Sequence, residues 1–152
     1  MANDLPRLSN EDYKYVYSRV PRLCVDLLIV VDGGLVLIKR EIPPEIGLWH
    51  LPGGRVFYKE SIDESIARIA KAETNLEVRR KKLMGYMEFP NDGEYVHSVS
   101  IIFLVELVSG SLRGSEQGRE IQSFKELPDT MHATHGPFLK GIWKEIFEEN
   151  KK

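Results

Sequence analysis

The stretch Trp49 to Leu76, WHLPGGRVFYKESIDESIARIAKAETNL, decides how the rest of the chain is read. It opens on a glycine turn, Pro52-Gly53-Gly54-Arg55, and six residues after Gly54 comes Glu60. Ser61 and Glu64 form a capping box, in which each side chain satisfies a free backbone amide at a helix start. The box predicts a helix from about Ile62 to Glu73 and fixes its register. At about 100° per residue, Ile62, Ile66 and Ile69 share one stripe flanked by Ala70, and Glu73 falls in its middle. A carboxylate facing inward is costly unless positive charge or hydrogen-bond donors meet it. A divalent cation beside the glycine turn is the expected companion.

This stretch resembles the signature of the Nudix hydrolases, G-x5-E-x7-R-E-U-x-E-E-x-G-U with U aliphatic. Gly54, Glu60, Arg68, Glu73 and Leu76 stand at matching positions, with Ala70 at the first U. Ile69, Ala72 and Asn75 depart, replacing two Glu and one Gly. The departures are similar to one branch of the family, the GDP-mannose mannosyl hydrolases, which keeps the Arg and the last Glu and lacks the other two. The likeness extends to Leu8-Ser9-Asn10-Glu11-Asp12-Tyr13, to the Pro21–Val31 strand with Asp26, to Lys39-Arg40, and to Gly47 through Val56. It covers most of residues 8 to 140.

The resemblance implies an α+β fold, a Nudix α/β/α sandwich with a mixed β-sheet between helices, formed by one domain over residues 1–152. It implies that Arg68 pairs with Glu60 to brace the loop against the helix, so that Gly54, Glu60 and Arg68 are structural in the motif. It also implies that Asp26 contacts the substrate, for which a sugar hydroxyl is a sensible partner, and that His97 lies near it. Glu120, four residues before Phe124, fits the place of a functional Glu in many Nudix proteins. The branch's proposed general base is a histidine in a Gln-His pair, and Gly118 and Arg119 occupy those positions here.

Composition sets modest bounds. At 152 residues the chain is long enough for one core-bearing domain. A net charge of −2 and 29% charged residues give no basic excess for nucleic acid. Cys24 is the single cysteine, which excludes a disulfide framework or a cysteine metal cluster. The apolar run Leu23–Val31, broken by Asp26, is too short to span a membrane, and the first residues lack the layout of a signal peptide. A soluble, cytoplasmic protein is the expectation.

In chain order, residues 1–7 read as a mobile tail. Tyr13, Val16, Tyr17 and Val20 recur at helical spacing after Ser9, giving a short helix over about 10–20. It either packs on its own domain or, as the resemblance suggests, crosses to a second subunit of a homodimer, the commonest soluble assembly. Leu23–Val31 and Leu35–Lys39 are strands joined through Asp32-Gly33-Gly34. Alternation puts Cys24, Asp26, Leu28 and Val30 on one face, where Asp26 either meets water or binds substrate. Arg40 to Leu48 is a loop. Arg40 and Arg55 flank the glycine turn, and an arginine fork suits the paired oxygens of a diphosphate.

Glu77–Phe89 and Tyr95–Val108 are the next strands, with His97 on one face of the second. A histidine so placed is more often a hydrogen-bonded core residue than a catalyst. Ser109–Arg119 is a polar loop leading to a short strand, Glu120–Phe124. Pro128–Gly136 is a loop holding His132 and His135, and a last helix runs over about Pro137–Asn150.

Glu73 and the Gly53 carbonyl are the candidate ligands for magnesium, or manganese in its place, with Glu120 as a further ligand or the general base. One inward acid suits cleavage between sugar carbon and diphosphate, where one magnesium and two arginines can steady the leaving group's charge while a general base activates water. The leading expectation is therefore hydrolysis of a nucleoside diphosphate sugar such as GDP-mannose to nucleoside diphosphate and free sugar. The alternatives are a Nudix pyrophosphohydrolase and a non-catalytic nucleotide-sugar binding module.

Overall fold

The computed structural model describes residues 7–43, 45–113 and 119–152. The expected tail, Arg7 apart, and residues 114–118 of the polar loop lie outside them. The described residues form α1 (Asn10–Tyr17), β1 (Arg22–Leu28), β2 (Val30–Val31), β3 (Gly34–Lys39), β4 (Trp49–His50), β5 (Gly53–Arg55), α2 (Ile62–Thr74), β6 (Leu76–Phe89), β7 (Ser98–Gly110), β8 (Ile121–Phe124) and α3 (His135–Asn150). No helix among them is long and apolar enough to cross a membrane.

One sheet has the order β5-β1-β7-β6, in which β1 and β7 are parallel and the other pairs antiparallel. The second joins β2 and β4 to β3, with β8 also on β3. The apolar run expected to be one strand is two, because the chain leaves the first sheet after Leu28 and enters the second at Val30. The turn into β3 has Asp32 at φ 51 and Gly33 at φ 76, the left-handed pair that a two-residue hairpin requires.

From Cys24 onward every residue of β1 is buried, as expected of a strand covered on both faces. On one face Val25 and Leu27 meet Ile66, Ile69 and Ala70 of α2 together with Phe103 and Val105. On the other, Leu28, Ile102 and Leu104 meet Leu139 and Ile146 of α3. The sheets thus lie between helices, the α/β/α arrangement that the resemblance implies. Ile66 and Ile69 are 1% and 2% exposed; burial of each is worth about 2–3 kcal/mol.

α2 starts as its capping box dictates, with the Glu64 amide donating to Ser61 Oγ at 3.1 Å and the Ser61 amide to Glu64 Oε2 at 2.7 Å. It stops at Asn75, φ 61, a left-handed cap that asparagine tolerates where the family signature has glycine. α1 is capped by Ser9 and buries no residue. It is tied to its own chain by its tyrosines, through Arg22 and Arg55. β7 begins at Ser98, so Tyr95 to His97 precede the strand, and His135 opens α3 where a loop is predicted.

Candidate active site

The strand ends, the β3–β4 loop and the first turn of α3 enclose a cavity of about 390 Å³. Asp26 lines it from the middle of β1, buried, and accepts a hydrogen bond from the Ser100 hydroxyl of the neighbouring β7. Burial raises its pKa to about 7. Asp26 sits opposite Gly53 of β5. A Cβ on Gly53 would overlap the Asp26 carboxylate, so only glycine fits there. The Leu27 amide donates to Pro52 O at 2.8 Å, which makes Asp26–Gly53 a non-hydrogen-bonded pair. The Gly53 carbonyl therefore points away from β1, at the edge of its sheet.

Glu73, in the last turn of α2, lines the same cavity with 24% of its side chain exposed. Burial raises its pKa, and Arg119 Nη1, 3.4 Å from Oε2, opposes the rise. Arg40 lines the cavity from its loop, where Nε donates to Ile42 O at 3.0 Å and Nη2 to Pro43 O at 3.4 Å. A further arginine, Arg22, donates to Ser98 Oγ at 3.0 Å, to Asp92 Oδ2 at 2.8 Å and to the Tyr13 hydroxyl at 2.6 Å.

Glu60 and Arg68 form a two-point pair, with Nε to Oε2 at 2.7 Å and Nη2 to Oε1 at 2.9 Å. Arg68 also donates to Arg55 O at 2.7 Å, and Glu60 accepts from the Phe57 amide at 3.1 Å. Burial opposes ionisation of Glu60, yet these donors hold its pKa below the usual value. The brace sets Gly54 against α2, where its position lies 3.4 Å from Ile69 for any added Cβ.

Three candidates lie elsewhere. Arg55 is held among the rings of Phe57, Tyr13 and Tyr17, at 4.8, 5.6 and 5.7 Å, and does not line the cavity. Glu120 is exposed, pairs with Lys39 at 3.4 Å and accepts from Gln122 at 3.1 Å. The Lys39 amide bonds to Glu120 O, extending the β3–β8 ladder, so the strand pleat turns Arg119 to the cavity and Glu120 away from it. His97 is exposed and contributes its carbonyl to the Arg22 amide at 2.7 Å.

Sequence reasoning missed a histidine wall. His50, His132 and His135 all line the cavity, with the rings of His132 and His135 4.7 Å apart and those of His50 and His135 6.0 Å apart. The Trp49↔Met131 bridge and a hydrogen bond from the Leu51 amide to His135 Nδ1 at 3.0 Å bring them together. Burial lowers the pKa of each, to about 4 for His50. The spacing of His132 and His135 was visible; their meeting with His50 depends on contacts about eighty residues apart in sequence.

Among the described residues no group of three His, Cys, Asp or Glu could hold a metal ion. The cavity offers Glu73 and backbone oxygen near Gly53, with Arg119 against the carboxylate. Magnesium is commonly held by one or two carboxylates and otherwise by water and substrate phosphate. The donors fit a single ion of that kind, and they do not fit a multi-ion cluster.

The glycine-rich edge strand β5, braced to a capped helix, thus shares one cavity with an inward carboxylate and with arginines. The chain belongs to the Nudix family, whose NUDIX domain model matches residues 20–142. It is a Nudix hydrolase, and enzymes of this family generally use divalent metals such as Mg2+ or Mn2+. It is 33% identical over 111 residues to an ADP-ribose pyrophosphatase of Methanocaldococcus jannaschii, covering 73% of this chain and 66% of that protein. It is 28% identical over 132 residues to the low-salt glycan biosynthesis protein Agl8 of Haloferax volcanii, covering 83% of this chain and 85% of the relative. Among solved structures, a MutT NUDIX hydrolase from Burkholderia pseudomallei superposes with a TM-score of 0.70 at 27% identity, over 86% of this chain and 98% of that one.

Proposed function

We propose that this Nudix hydrolase acts on nucleoside diphosphate sugars, cleaving between the anomeric carbon and the diphosphate to release nucleoside diphosphate and free sugar. The observation that carries the reading is that α2 presents one carboxylate, Glu73, to the cavity. Ile69, where the family signature has a Glu, is buried in the apolar core, and Ala72 is exposed. Attack at phosphorus commonly recruits several ions, whereas loss of a diphosphate from sugar carbon asks for fewer, its charge being steadied by one cation and an arginine while a base activates water. Arg40 steadies that charge, and Glu73 with the Gly53 carbonyl would hold a magnesium ion, which supplies further charge stabilisation when bound. Asp26 and Ser100 supply buried oxygens suited to a sugar hydroxyl.

The second reading, hydrolysis of the diphosphate itself, is favoured by the likeness to an ADP-ribose pyrophosphatase. Incubation with GDP-mannose, ADP-ribose and magnesium, without phosphatase, separates the two. Nucleoside diphosphate with reducing sugar supports the first; nucleoside monophosphate with a sugar phosphate overturns it in favour of the second. We further propose a homodimer, with the exposed Tyr15 and Val20 at and beyond α1 as part of the contact. A monomeric mass by light scattering would reject it.

A further inference from the structure

The hydrolysis proposed above needs a proton acceptor, and three of the four acids lining the cavity are already engaged. Asp26 accepts from Ser100, Glu73 faces Arg119, and Asp92 holds Arg22 and Ser98. Glu41 lines the cavity but is exposed. Glu120 lies outside it, paired with Lys39.

The histidines differ from one another by where their protons must sit. His135 Nδ1 accepts the Leu51 amide at 3.0 Å, so its proton is on Nε2. His132 Nδ1 accepts the Thr134 amide at 3.1 Å, and its Nε2 donates to Glu45 Oε2 at 2.6 Å. Both acceptor nitrogens are therefore occupied. His50 is the reverse case. Its Nδ1 lies 2.7 Å from the Leu51 carbonyl oxygen, which can only accept, so the proton is on Nδ1. Nε2 then carries a lone pair on a ring that lines the cavity, with no protein donor on it among the described residues.

We propose that His50 is the catalytic base of this enzyme, its Nε2 taking a proton from the attacking water. The assignment rests on the nucleoside diphosphate sugar reading. The water oxygen bonds to the anomeric carbon as its proton passes to Nε2. The bond from that carbon to the diphosphate oxygen breaks, and its electron pair leaves with the diphosphate beside Arg40. The Leu51 carbonyl, accepting from Nδ1–H, stabilises the imidazolium that forms.

The groups facing His50 set its response to substrate. Burial holds it neutral, and Arg40, Arg119 and His132 add to the effect. His135 abuts it, His132 carries Glu45, and Asp26 and Glu73 share the cavity. A bound diphosphate brings negative charge against the two arginines and strengthens His50 as a base. The acid limb of kcat must then lie at higher pH than that of kcat/KM, since the first reports the complex and the second the free enzyme.

The test is His50→Gln in the full chain, with GDP-mannose and magnesium. The expected result is a fall in kcat of roughly 10²–10⁴, with KM within about threefold, loss of the acid limb and a cooperative unfolding transition like that of the wild type. A kcat within threefold of the wild type, or a loss confined to KM, overturns the assignment. Nitrogen-15 NMR of the free wild-type enzyme provides a readout independent of turnover: His50 must be the Nδ1–H tautomer at neutral pH, and an Nε2–H tautomer overturns the proposal. Free sugar from the wild type with undiminished kcat in the variant removes His50 alone. Sugar phosphate from the wild type removes the substrate reading and the proposal together.

Discussion

Asp26→Asn is the perturbation whose size follows most directly from the structure. The Asp26 carboxyl ionises near 3.8 in an unfolded chain and near 7 in the folded protein, because burial between β5 and β7 disfavours the charge more than Ser100 stabilises it. Below the lower value both states are protonated and the group has no effect on stability. As the pH rises, the unfolded chain gives up the proton first, so it binds fewer protons than the native state and stability falls. The loss is complete once the pH passes the folded value. At about 1.36 kcal/mol per pH decade, it amounts to about 4 kcal/mol in all, and to about 3 kcal/mol between pH 5 and pH 8.

Asparagine keeps an oxygen for the Ser100 hydroxyl and cannot ionise. Its own packing cost is the same at every pH, so the pH dependence of the difference isolates the charge. Urea unfolding of both proteins at pH 5 and pH 8, in chelator so that no cation meets the carboxylate, gives the two stabilities at constant m-value. The expected outcome is that the variant gains about 3 kcal/mol on the wild type between the two pH values. A difference constant to within about 0.5 kcal/mol would show that Asp26 is ionised in the fold at pH 5, and the reasoning from burial would fail.

Glu73→Gln should lower kcat by roughly 10²–10³ and shift the unfolding transition little, since the side chain is 24% exposed; retained turnover across a magnesium titration would remove Glu73 from the metal assignment. Gly53→Ala places a methyl against the Asp26 carboxylate and should cost about 1–3 kcal/mol in urea unfolding; a neutral outcome would mean that β5 is not held so close to β1. Arg68→Ala strands Glu60, whose side chain is 1% exposed, at an expected cost of about 3 kcal/mol near neutral pH. Because the Glu60 pKa is lowered in the fold, that gap must shrink as the pH falls through it, and a gap that widens in acid would contradict the pairing.

Local chemistry explains what was legible in the sequence. The start of α2 and its buried stripe depend on residues within a dozen positions of one another, so spacing alone reveals them. The hairpin at Asp32-Gly33 is legible for the same reason. The expected Gly53-Gly54 turn is instead strand β5, because it pairs with β1 from a distant part of the chain. What sequence spacing does not give is the partner of a side chain from a distant element. Asp26 was on a defined face, but its hydrogen-bond partner Ser100 stands seventy-four positions away on a parallel strand, and its burial comes from lying between β5 and β7. His97 shared the alternation of Val99 and Ile101, yet β7 starts one residue after it, where the alternation carries no orientation. Glu120 had the right spacing from Phe124 and the wrong side of the pleat.

The Arg119–Glu73 contact joins these two kinds of information. The resemblance drawn from the sequence sets Arg119 at the position of a branch histidine, which reads as the loss of a base. The structure puts that arginine 3.4 Å from the one carboxylate that α2 gives the cavity. An arginine there serves two states. It pairs with Glu73 in the free protein, and on the substrate proposed above a diphosphate would give its guanidinium a stronger anion to face, which would leave Glu73 available to hold a cation. Magnesium affinity should therefore be weak without substrate and rise when the diphosphate is present, by the same factor that magnesium raises substrate affinity. Calorimetric titration of magnesium with and without GDP reads that coupling directly, and equal affinities in the two titrations would leave Arg119 as a structural counter-ion.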